Sequence, residues 1–199
     1  MSRESGYEAA INLSIEKLRN VDWNTRCTAL NLPLPNNTEI RFNAFGKEME
    51  LHLDDFQLLL TQSLTPAHVS ERILVLHYLM CDAPIQQTGE LISFRQLDGG
   101  MFYWEAFLSR SVRPLVQRIG NNISLLQENL KRFDFIPVPR GDVGACIHVF
   151  GKVYVTLIYL AGDDEFPPEA QLLFDSSIKD IFSTEDVAVL AGQMCFSLK

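Results

Sequence analysis

The chain has 199 residues, 47% apolar and 21% charged, which is ordinary globular composition and excludes both disorder and a need for disulfide staples. Its formal charge of −8, from 17 basic and 25 acidic residues, has the wrong sign for a nucleic-acid binder, because neutralising phosphates takes a clustered basic surface. No apolar run nears the roughly 18 residues that cross a bilayer, and MSRESGYEAA lacks a signal-peptide core, so a cytoplasmic protein without a membrane partner is expected.

In chain order, residues 7–19 set Tyr7, Ala10, Ile11, Ile15 and Leu18 at helical spacing, which predicts an amphipathic helix. Asp22 is suited to cap a second short helix through Ala29, and Pro33 and Pro35 break the chain after it. Alternation through Ile40, Phe42 and Ala44, a turn at Gly46-Lys47, and alternation again through Met49, Leu51 and Leu53 predict a hairpin with one buried face. Thr65 and Pro66 have the chemistry of an N-cap and a first helical position, so the apolar run from Val69 to Met80 is expected to be a helix starting there, buried nearly all round. A turn near Pro84, an extended stretch at 91–94 and the pair Gly99-Gly100 precede a helix expected at 102–119, kinked or divided by Pro114. Gly120 ends it, Asn121 or Asn122 caps a helix at 123–133, and Pro137 and Pro139 force an extended run.

Residues 145–150 and 153–160, rich in β-branched and aromatic side chains, are the strongest strands, joined at Gly151-Lys152. The acidic loop 162–168 is expected to lead into a helix at 169–174, and residues 183–186 read as a capping box before an apolar helix at 187–196. Helices and hairpins without regular βαβ alternation predict an α+β fold: a mainly antiparallel sheet packed by several helices around one central buried helix, in a single domain over residues 1–199.

Charge is unevenly placed. From residue 162 onward there are eight acids and two lysines, a local −6, whereas residues 101–140 hold six basic and three acidic residues, a local +3. The split fits two regions that face each other, a protein partner that sees one sign, or two solvated faces. Cys27, Cys81, Cys146 and Cys195 form no close pair, so buried thiols in a reducing compartment are expected, with no disulfide framework and no metal site.

No P-loop, G-x-G-x-x-G, H-E-x-x-H, G-x-S-x-G or EF-hand loop is present. The chemistry therefore rests on isolated polar groups. His77, between Leu76 and Tyr78, is either a buried histidine bonded to a neighbour or a metal-ligating or proton-transfer group, which needs a second polar residue beside it. His148 poses the same question on a strand. Arg95, Arg110 and Arg113 are candidate anion binders; the last two, three residues apart, would share a helix face and fork a carboxylate or phosphate, or else pair with the acidic C-terminal region. Phe102, Tyr103, Trp104 and Phe107 form either core or a cofactor platform. Asp163-Asp164-Glu165 has the charge of a hard-cation site without its spacing and reads as a solvated loop.

Between residues 73 and 190 come, in order, Ile73-Leu74-Val75-Leu76-His77-Tyr78-Leu79, Thr88-Gly89-Glu90-Leu91-Ile92-Ser93-Phe94-Arg95, Gly99-Gly100, Val155-Thr156-Leu157-Ile158, Asp163-Asp164-Glu165-Phe166-Pro167-Pro168-Glu169-Ala170, Leu173-Phe174-Asp175-Ser176-Ser177 and Thr184-Glu185-Asp186. In these blocks the chain resembles a bacterial and archaeal domain-of-unknown-function family, number 3786. The resemblance implies no settled activity. Members look typical of anaerobes that run corrinoid and iron–sulfur chemistry, and some relatives carry cysteine-rich cluster-binding extensions that these 199 residues lack.

The leading expectation is a ligand- or cofactor-binding domain, for a small molecule, a corrinoid or another large anionic cofactor, with its pocket built from His77, Tyr78, Arg95, Tyr103, Arg110 and Asp175. A rival is an enzyme that uses His77 as acid/base with Asp175 as its orienting partner. A third is a protein-interaction adaptor that turns its acidic C-terminal region to a basic partner.

Overall fold

The computed structural model describes residues 3–82 and 84–199, with side chains from Gly6 onward. Helix α1 (Arg3–Leu18) is followed by α2 (Trp23–Leu30), whose cap is the expected Asp22, accepting from Asn24 N–H at 3.2 Å. Strands β1 (Glu39–Ala44) and β2 (Lys47–His52) form the expected hairpin, with Ala44 opposite Lys47 and Phe45 and Gly46 in the turn. Both turn residues have positive φ, 54° and 72°, the backbone that a two-residue hairpin turn of the right twist requires. Phe45 holds that unfavourable conformation because its ring is buried against Phe150 and its N–H donates to Val149 O at 3.1 Å. This turn ties the first sheet to the second.

The start of the next helix corrects an expectation. Thr65 and Pro66 do not cap it. They form β4 (Thr65–Pro66), paired with β3 (Leu58–Leu60), which completes a four-stranded sheet in the order β1-β2-β3-β4. Ala67 N–H donates to Leu58 O at 2.8 Å, so the backbone stays extended past the proline. Helix α3 (Val69–Leu79) begins where His68 Nδ1 accepts from Ser70 N–H and the Glu71 carboxylate accepts from His68 N–H: a capping box with histidine in the serine position. Eight of its eleven residues are buried, as the all-round apolar pattern predicts.

After β5 (Leu91–Ser93) and a 3₁₀ turn at Phe94–Gln96, the long helix expected around Pro114 is two helices, α4 (Gly100–Arg110) and α5 (Val112–Ile119). The division falls at Ser111, three residues before the proline. A proline ring would strike the carbonyl four residues back, that of Arg110, so the chain leaves the helix between them and Pro114 sits in the first turn of α5, where no N–H is needed. Helix α6 (Ile123–Leu130), capped by Asn122, leads to β6 (Phe135–Pro137), β7 (Val143–Phe150) and β8 (Val153–Leu160).

The helix expected at 169–174 is instead a strand, β9 (Glu169–Asp175), bonded to β8 on one side and β5 on the other. Its Glu, Ala, Gln and Leu are good helix formers, but Leu172 and Phe174 alternate into the core, and pairing on both edges outweighs local propensity. The short α7 (Ile178–Ile181) and the long α8 (Thr184–Ser197) close the chain, the latter under the expected Ser183 capping box. The second sheet is antiparallel throughout, ordered β5-β9-β8-β7-β6, and α+β is the fold class. One sheet face, bearing Ala145, Ile147, Val155, Leu157 and Phe174, is fully buried. Helix α8 contacts α3, α4 and α5, so α3 and α8 share the central place expected of α3 alone. No helix among the described residues is long and apolar enough to cross a membrane.

Candidate functional site

The central helices carry the polar residues that matter. His77 stands in the last turn of α3 and Asp186 in the first turn of α8, and packing the two helices together puts His77 Nδ1 2.9 Å from Asp186 Oδ1. The carboxylate is itself fixed: its other oxygen accepts from Ser183 Oγ–H at 2.8 Å and Ser183 N–H at 3.3 Å, the reciprocal half of the capping box. Asp186, not Asp175, orients the imidazole. His77 and Asp186 border a hollow of about 300 Å³ between α1, α3 and α8, whose walls include Tyr7, Ala10, Ile73 and Val189.

Tyr7 and Val189 also border an adjoining cleft of about 340 Å³. Its walls come from the N-terminal turn of α3 (His68, Ser70), the α4–α5 junction (Arg110, Ser111, Pro114) and the face of α8 that carries Ala188 and Gly192. Gly192 lets the two elements approach closely at this crossing, since a Cβ there would lie 3.2 Å from Arg110 O. Lys47, Arg110, His68 and Lys199 line the cleft, and among the described residues no carboxylate side chain does. Lys47 pairs with the buried Glu71 at 2.7 Å, and Lys199 Nζ lies 4.6 Å from the centre of the Phe196 ring. Arg110 has no ion-pair partner among the described residues. The N-termini of α3 and α5 also border the cleft, the first already closed by its capping box.

Of the six residues expected to surround one pocket, His77 and Arg110 border these two adjoining hollows, and the others do not. Tyr78 is fully buried on the opposite side of α3: its hydroxyl donates to Leu30 O at 2.6 Å and accepts from Lys152 N–H at 2.8 Å. Burial pushes the phenol far above its ordinary pKa. A Cβ at Gly151, where φ is 54°, would collide with its ring. Arg95 is exposed and stacks over Trp104, 4.3 Å from the ring centre. The aromatic group divides: Phe107 is buried under Phe94 and Trp104, while Phe102 (93% exposed) and Tyr103 (62%) point outward. Asp175 ends β9 and accepts from Thr88 N–H, Gly89 N–H and Ser177 N–H at 2.8–3.0 Å. Burial alone would raise its carboxyl, but the hydrogen bonds from Ser177, Thr88 and Gly89 prevail and hold it at about 2.

Arg113 pairs with Glu105 at 2.7 Å, across the Ser111 break, so it shares no face with Arg110. Among the described residues no ion pair joins the basic region to the acidic one. Asp163 accepts from the N–H groups of Glu165 and Phe166, the bonds of an exposed Asx turn. His148 Nε2 lies 2.9 Å from Gly151 O. Glu39, Glu50 and His52 bring potential metal-ligating atoms within 4.8 Å of one another, but the Arg41 guanidinium bridges both carboxylates, at 2.7 Å from Glu50 and 3.3 Å from Glu39. A larger hollow, about 590 Å³, lies over the open face of the second sheet beside Leu91, Ile136 and Tyr154; its one carboxylate, Asp175, is the one already bonded to backbone.

A family model described as Domain of unknown function (DUF3786) matches residues 22–197. The chain belongs to this family. The DUF3786 match takes in every element from α2 onward, hence His77, Arg110, Ser183 and Asp186, and begins beyond Tyr7. No curated protein and no solved structure matches the chain. The signals for the residues missed from sequence were present in part: Ser183-Asp186 was legible as a cap, and Gly192 as a small residue in an apolar helix. Lys47 and Ser70 carried none.

Proposed function

We propose that this domain binds a small anionic molecule in the cleft between α1, α3, α5 and α8. One observation carries the reading: in a chain of net charge −8, this cleft is lined by Arg110, which has no ion-pair partner among the described residues, with Lys199 and the Glu71-paired Lys47 beside it, and by no carboxylate side chain among the described residues. An exposed arginine without an internal partner is a ready fork for a carboxylate or phosphate. The volume suits a ligand of modest size. The corrinoid expectation loses the residues it was built on, since the Arg95, Tyr103 and Tyr78 side chains meant to flank it lie away from the hollow beside His77.

Isothermal titration with citrate and with inorganic phosphate tests the reading. Binding that weakens with added salt is expected, and Arg110→Ala should lower citrate affinity by roughly 10- to 100-fold, the equivalent of one charge-assisted hydrogen bond. Equal affinity in the wild type and the variant would remove the anion from this cleft.

A further inference from the structure

The same pair of hollows supports a second step, which rests on the anion-binding reading. We infer that His77 is a proton acceptor for the molecule held in the cleft, with Asp186 as its positioning residue. Three observations carry this. The Asp186 carboxylate is immobilised by Ser183 through two hydrogen bonds, and its remaining oxygen meets His77 Nδ1 at 2.9 Å. A fixed acceptor at Nδ1 selects the tautomer with its proton there, which leaves a lone pair on Nε2. Nε2 has no hydrogen-bond partner among the described residues, and the His77 side chain, 23% exposed, borders the hollow.

His77 differs in this from the other histidines. His68 Nδ1 accepts from Ser70 N–H, which places its proton on Nε2 and leaves no lone pair there, His52 Nε2 lies 2.6 Å from Glu50, and His148 Nε2 is engaged by Gly151 O. Tyr7 and Val189 are common to both hollows, so the two are neighbours, and a ligand anchored by Arg110 and long enough to pass these side chains would bring its far end to His77. The ligand class is then a carboxylate or phosphate that bears a second, weakly acidic O–H, N–H or C–H. In the step, the Nε2 lone pair takes that proton, the bonding electrons stay on the ligand as its conjugate base, and Asp186 offsets the imidazolium charge. The proton returns to the ligand at another atom or passes to water, and nothing is oxidised or reduced.

Carbethoxylation by diethyl pyrocarbonate, mapped by peptide mass spectrometry with and without saturating citrate, is the test. His77 should label faster than His148, and citrate should slow His77 together with the cleft-lining His68, leaving His52 and His148 unchanged, at the concentration that saturates the calorimetric titration. Asp186→Asn, which keeps an oxygen for the cap, should label at His77 roughly tenfold more slowly than the wild type when no citrate is present. Urea unfolding of Asp186→Asn, with the labelling rate of its His148 unchanged, controls for folding. If citrate binds yet leaves His77 labelling unchanged, the proton-transfer role falls and the anion site survives. If citrate does not bind the wild type, both fall together.

Discussion

Asp175 and Asp186 make the instructive comparison, because both are aspartates at the junction of two elements and both accept hydrogen bonds from nearby backbone or hydroxyl groups. Asp175 receives backbone N–H donors from two separate segments, Thr88-Gly89 and Ser177, and so staples the loop before β5 to the end of β9. Its oxygens are used up in folding. Asp186 gives one oxygen to its helix cap and the other to an imidazole that borders a hollow and whose far nitrogen has no partner among the described residues. Tyr78 and His77, adjacent in sequence, repeat the contrast: the phenol is satisfied at both lone pair and proton inside the core, while the imidazole is satisfied on one side only. A polar group whose bonds all end on backbone stabilises a fold. One whose chain of bonds ends at an open atom is available for chemistry.

That contrast is broken most severely at Tyr78. Replacing it by Ala removes a ring packed edge-on against Phe150, 5.2 Å away, and orphans Lys152 N–H and Leu30 C=O. A loss of about 3–5 kcal/mol is expected in urea unfolding. The gentler Tyr78→Phe should lose about 1–3 kcal/mol, the range for leaving buried polar partners unmet, and its citrate affinity should match the wild type. A Tyr78→Phe protein of full stability that binds citrate poorly would reverse the assignment of the two neighbours.

Asp175 supplies a pH test with a definite sign. Its folded pKa, about 2, lies below the unfolded value near 3.9, so the stabilisation is complete above about pH 4 and is lost as pH falls toward 2. Because the carboxylate is partly solvated, about 1 kcal/mol is a fair expectation after screening. Asp175→Asn should therefore be less stable than the wild type at pH 7, and the gap should narrow on acidification across that window. Stability curves that run parallel from pH 5 to 2 would show that the staple contributes nothing.

The same distinction explains what was legible in the sequence. Helices α1, α2 and α8 and strands β1, β2, β7 and β8 announce themselves, because period, caps and turn residues are local and agree with one another. Strands β3 and β4 do not: three and two residues long, they exist through pairing with each other and with β2, and Thr65-Pro66 carries stronger helix-start chemistry than the His68–Glu71 box that wins. Strand β9 is hidden by helix-forming residues for the same reason. At the site, His77 is visible as a polar residue in an apolar helix, but its partner lies 109 residues away and is masked by a second role as a cap. Arg110 was found in company with Arg113, and only the Ser111 break, set by a proline whose position suggested a different division, separates them.

Arg110 is therefore the residue at which stability and binding should separate most cleanly. It is exposed, makes no ion pair among the described residues, and stands at the last position of α4, where the helix dipole favours a cation only weakly. Arg110→Ala should change unfolding free energy by no more than about 0.5 kcal/mol, as surface substitutions do. Arg110→Lys sharpens the point. Lysine keeps the charge and the α4 C-terminal position but loses the planar fork, so a ligand held bidentately should bind it at an intermediate affinity, between arginine and alanine, whereas one drawn only by local positive potential should bind it as it binds arginine. Calorimetry on the three proteins at one ionic strength reads the difference directly, and three equal affinities would mean that the cleft's arginine does nothing for a ligand.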